Sequence, residues 1–131
     1  MVNVTKHPIR FQNSAGDTYE LPTSGVVLDA EFVENSSETH KSGVQIVRVK
    51  LAPAAGAKEK LEELERQHPG ELIVGSLIAA QAFPCRVVAL VSVEGYERVA
   101  ADLKRMRDDK FTAFGPILTM GQGDIPFTYK Q

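Results

Sequence analysis

A chain of 131 residues, 43% of them hydrophobic and 24% charged, is long enough for one domain with its own core and needs neither disulfides nor a metal to fold. The formal net charge of -2 argues against a general nucleic-acid binder, which carries a strong basic excess. Cys85 is the sole cysteine, which excludes an internal disulfide and a thiolate metal cluster and fits a reducing cytoplasm.

The N-terminal stretch "MVNVTKHPIRF" has no signal-peptide core, and no apolar run reaches the length of a membrane helix. The expectation is a cytoplasmic protein with no membrane partner. Val2, Val4, Ile9 and Phe11 recur with a period of two, predicting a strand interrupted at His7-Pro8. Pro8 has no backbone N–H, so this strand is expected at a sheet edge or bulged there. "NSAGD" (13–17) predicts a turn leading into a hairpin with "TYELP". After "TSG" (23–25), Val26, Leu28, Ala30 and Phe32 alternate as in a strand. "ENSSETHKSG" (34–43) holds no apolar residue and reads as a solvated loop, and "VQIVRVKL" (44–51) alternates again.

The second half changes period. Ala57, Leu61 and Leu64 fall at helical spacing, Glu62 and Arg66 form an i,i+4 pair, and Pro69-Gly70 ends the helix. "ELIVG" (71–75) reads as a central strand, residues 77 to 83 as a short helix buried all round, and "RVVALVSV" (86–93) as the next strand. Val99, Ala100, Leu103 and Met106 predict a further helix whose Lys104, Arg105, Arg107 and Lys110 are nearly cancelled by Asp102, Asp108 and Asp109, a solvated face rather than a nucleic-acid patch. A strand-like piece and a Gly/Pro-rich tail from about 115 close the chain. The expected fold is α/β, with α+β the alternative. It is a single domain over 1–131 built on one mixed β-sheet, with an N-terminal antiparallel half and two or three helices.

Three groups of residues carry candidate chemistry. Gly75 and Ser76 stand between a strand and a helix, where glycine lets ligand oxygens approach the backbone and serine either donates to an anion or simply caps the helix. Asn3, Thr5 and His7 share one face of a strand, and His7 is the best general acid or base because imidazole titrates near neutrality. The competing reading is a solvent-facing edge. Arg86, beside Cys85, is an anion clamp or a structural ion pair. The histidines have no metal-ligand spacing, so neither a metal nor any other cofactor is expected.

"NVTKHPI", "PTSG" and "IVGSLIAAQAFPCR", in this order, resemble a family of small uncharacterised proteins from bacteria, archaea and phages. Its members open on Asn-Leu-Thr-Pro-His and an apolar residue. They carry a Pro-x-Ser-Gly-like turn, then an apolar strand, a Ser, an Ala-rich stretch, Pro and Arg. The resemblance covers residues 2–32 and 71–91 and falls on Asn3, Thr5, His7, Ser24, Gly25, Ser76, Ala80, Ala82, Pro84 and Arg86, with Lys6 and Cys85 as departures. It implies no activity. It does imply that these polar residues form one constellation. The leading expectation is a shallow pocket of Asn3, Thr5, His7, Gly75, Ser76 and Arg86 that binds a small anionic ligand such as a nucleotide or phosphorylated metabolite. The alternatives are a His7-dependent hydrolase or phosphodiesterase using the same pocket, and a protein-interaction module whose edge strand over 2–11 supports a homo-oligomer.

Overall fold

The computed structural model describes residues 1–117. The expected Gly/Pro-rich tail lies almost wholly outside them. The fold is mixed α/β and dominated by sheet. Its strands are β1 (Val2–Asn3), β2 (Ile9–Gln12), β3 (Thr18–Leu21), β4 (Ala30–Thr39), β5 (Gln45–Pro53), β6 (Ile73–Gly75), β7 (Val88–Ser92) and β8 (Met106–Thr112). Its helices are α1 (Ala57–Gln67) and α2 (Leu77–Ala82).

The single sheet expected from the sequence is two. A six-stranded mixed sheet has the order β1-β6-β7-β8-β2-β3, and β4 and β5 form a separate antiparallel ribbon. Within the larger sheet β1, β6 and β7 are parallel, β8 runs against β7, and β2 runs with β8. The predicted hairpin is present as β2 and β3, where the Asn13 side chain accepts from the N–H groups of Ala15 and Asp17. β6 and β7 are adjacent although only residues 76–87 connect them, because the crossover helix α2 has just six residues.

Three local expectations are corrected. The polar stretch 34–43 is a strand as far as Thr39, with the turn confined to residues 40–43. Both faces of this part of the ribbon meet solvent, so the strand needs no apolar residues there. The helix from Val99 is reduced to one 3-10 turn, Ala101–Leu103, followed by β8. There Arg105 lies over the Tyr96 ring and donates to Gln12, and Arg107 pairs with Asp109. Tertiary partners therefore override a helical period that spans barely two turns. Lastly, α2 is not buried all round: Leu77 and Ile78 are about half exposed, while Ala79, Ala80 and Ala82 are buried.

The main core joins both helices to the sheet through Val2, Val4, Leu61, Leu64, Phe83 and Val87. A second cluster centres on Ile9, Phe11, Val74 and Val88, with Leu90, Met106 and Phe111 packed against it. Alternation along β6 explains the division, since Ile73 and Val74 point to opposite faces and join different clusters. No helix among the described residues is long and apolar enough to cross a membrane.

Candidate cleft at the carboxyl end of the parallel strands

The site begins with Asn3, which is 1% exposed. Its Nδ2 donates to His7 O (2.8 Å) and to Leu21 O (3.3 Å), and its Oδ1 accepts from Thr5 N (2.8 Å) and Thr5 Oγ1 (2.6 Å). One amide thereby fixes the loop after β1 and draws the carboxyl end of β3 to that of β1, although these are the two outermost strands of the sheet. Ser24 reinforces the junction by donating from Oγ and N to Asn3 O.

This end of the sheet holds a cleft of about 630 Å³, within the range typical of small-molecule sites. The chain after β1 contributes Thr5 and His7, the step from β6 to α2 contributes Ser76, and the start of β2 contributes Pro8, Ile9 and Arg10. Leu90 and Met106 complete the floor where the β7–β8 ladder loses register between Leu90 and Ser92. Exposed Glu20 and Asp102 and the half-buried Lys104 add charged groups to the lining. Parallel strands end here, which is the usual position of ligand sites in α/β sheets.

The predicted constellation is thus divided. Thr5, His7 and Ser76 line one cleft, although His7 and Ser76 are far apart in sequence. Asn3 supports the cleft from beneath without lining it. Gly75 is a packing residue: a Cβ there would meet Val87 Cγ1 at 3.0 Å, Val4 Cγ2 at 3.1 Å and Ala79 Cβ at 3.2 Å. Arg86 is not at the cleft. It precedes β7, at the opposite end from Leu90, and donates twice to Glu65 of α1, at 3.1 and 2.5 Å. That hydrogen-bonded carboxylate raises the guanidinium pKa above its ordinary value, against the opposing effect of burial. Of the two readings of Arg86 from the sequence, the structural ion pair is the one observed. The edge strand expected over 2–11 is found only in part: β2 is interior, between β8 and β3, whereas β1 is outermost in the sheet, with Asn3 O and Val4 O accepting from Ser24 N and Leu28 N.

The hydrogen bonds already made within the lining decide what it can offer a ligand. Thr5 Oγ1 has one proton and two acceptors already in range, Asn3 Oδ1 and His7 O, so it offers a ligand only lone pairs. Ser76 is the reverse. Its Oγ accepts from Ala79 N at 3.1 Å as the cap of α2, which leaves its O–H free to donate. Lys104 reaches Glu97 O at 3.5 Å, and Arg10 lies 3.9 Å from Glu20, so neither cation is tightly held. Sequence reasoning missed Arg10, Glu20, Leu90 and Met106, since no motif surrounds them, and assigned Lys104 and Asp102 to a helix face. Among the described residues no cluster of three or more His, Cys, Asp or Glu is placed to hold a metal ion.

Compared with family models, with curated proteins and with solved structures, the chain finds no match.

Proposed function

We propose that this protein binds a small anionic ligand, of the kind represented by nucleotides and phosphorylated metabolites, in the cleft at the carboxyl ends of β1, β6 and β7. The observation that carries the reading is the convergence of three separate segments on one cleft with donors to spare. The Ser76 hydroxyl, the His7 ring, Lys104 and Arg10 supply protons and positive charge. Thr5 orients polar groups that can themselves donate. Arg86 has no part in this binding, because its guanidinium is engaged by Glu65.

A second reading uses the same residues. His7 and Ser76 at one cleft are the elements of a His-dependent hydrolase or phosphodiesterase, in which His7 moves a proton and Ser76 stabilises developing negative charge. The readings separate on His7→Ala, which lowers affinity in a binding protein and abolishes turnover in an enzyme.

The direct test is a thermal-shift screen against nucleotides, cyclic nucleotides, sugar phosphates, organic carboxylates and inorganic anions. A ligand at a hundred times its dissociation constant stabilises the folded state by about 2.7 kcal/mol, a shift of several degrees for a domain of this size. The expected hit is lost in Lys104→Ala and weakened in Ser76→Ala. A flat response to every anion tested, up to millimolar concentrations, counts against the proposal.

A further inference from the structure

The cleft has charged groups in its lining and an apolar floor, and the two constrain its occupant differently. Ile9, Leu90 and Met106 all belong to the second apolar cluster, so that cluster meets solvent at the cleft. Ile9 is buried and the other two are half-buried. An inorganic anion seated there would leave these side chains in contact with water. The lining carries Arg10 and Lys104 but also Glu20 and Asp102, so its fixed charges cancel. A polyphosphate would bring several negative charges against two carboxylates with only two cations to match. A single negative charge can lie at Lys104 and the Ser76 hydroxyl without that cost, while an apolar body covers the floor.

From this arrangement we infer that the ligand is an organic monoanion with an aromatic or branched aliphatic body, the charge held at Lys104 and Ser76 and the body seated on Ile9, Leu90 and Met106. The inference rests on the anion-binding reading and narrows it. Polyphosphates, and nucleoside triphosphates with them, are the least suited of the anions considered above.

Four probes separate the two claims when titrated into the full chain by calorimetry or chemical-shift mapping. Phenylpropionate carries charge and body, acetate the charge alone, phenylpropanol the body alone, and pyrophosphate several charges with no body. Burying about 60 Å² of ring against the floor strengthens binding about tenfold, so phenylpropionate is expected to bind at least about tenfold more tightly than acetate or pyrophosphate, and more tightly than phenylpropanol because only its carboxylate is attracted to Lys104. Met106→Gln, nearly isosteric and at a half-buried position, is expected to weaken phenylpropionate and leave acetate unchanged. Lys104→Gln is expected to bring phenylpropionate down to the level of phenylpropanol. If acetate or pyrophosphate binds as tightly as phenylpropionate, the apolar requirement is overturned while anion binding stands. If phenylpropanol binds as tightly, the charge is irrelevant and the anion-binding reading falls with the inference. Binding of phenylpropionate that maps to residues away from the cleft overturns the assignment of the site, and no binding of any probe overturns both.

Discussion

Asn3 shows how much a single side chain does in this fold. Its amide offers two donors and an oxygen with two lone pairs, and all of them are used inside the protein. Replacement by Leu keeps the bulk but strands Leu21 O and Thr5 N, while His7 O keeps the Thr5 hydroxyl as a donor. Asn3→Leu is expected to lose at least about 2 kcal/mol, since each of the two groups left unsatisfied costs about 1–3 kcal/mol. Urea denaturation measures it, and a loss below about 1 kcal/mol would mean that water re-satisfies the junction. The sequence marked Asn3, Thr5 and His7 as one polar face but left their roles undecided. The side chains of Thr5 and His7 face the cleft, whereas Asn3 holds the loop that presents them. A period-two pattern gives a face, not what that face meets, and here β1 ends after Asn3, so the face does not persist.

At the scale of elements, the β4–β5 ribbon behaves least like its sequence pattern. By alternation Val47, Val49 and Leu51 share one face, with Phe32 opposite Leu51, which reads as a strand with a buried side. In the structure Phe32 is 67% exposed and Val49 52%, and an Arg48–Glu38 ion pair lies on the other face. A two-stranded ribbon alone is marginal in water. Its outer part is therefore expected to open locally, with the amides of residues 45–49 exchanging far faster than those of Val74 and Val88 in native-state hydrogen exchange. Equal protection would show that the ribbon is held by contacts beyond its own strands. In the same vein Val49→Thr is expected to change stability by less than about 0.5 kcal/mol, whereas Leu61→Ala, at a site with 0% exposure, is expected to cost about 2–5 kcal/mol.

At the scale of the molecule, the two ends of the sheet carry separate tasks. One end holds the cleft. The other is tied to α1 by Arg86 and Glu65, whose side chains are 25% and 11% exposed. Glu65→Gln keeps a hydrogen-bonding shape but removes the negative charge facing Arg86. The expected loss is about 1–2 kcal/mol, below that for breaking a fully buried pair because Arg86 retains some water. Affinity for any ligand of the cleft is expected to be unchanged in this variant, since the pair lies at the far end of β7. A variant as stable as the parent by urea denaturation, or one with altered binding, would show that the two ends are not independent in this way. By itself the sequence determined the turn at 13–17, helix α1 with its stop near Pro69-Gly70, and the buried strands β6 and β7, because each is written in neighbouring residues whose spacing matches a helix, strand or turn. Only the tertiary structure decided that the strands split into a sheet and a ribbon, that Arg86 serves Glu65 rather than Ser76, and that Arg10, Leu90, Lys104 and Met106 meet Ser76 at one cleft. Those outcomes depend on which distant segments pair, and pairing is governed by burial and by hydrogen bonds between residues whose separation along the chain leaves no periodic trace.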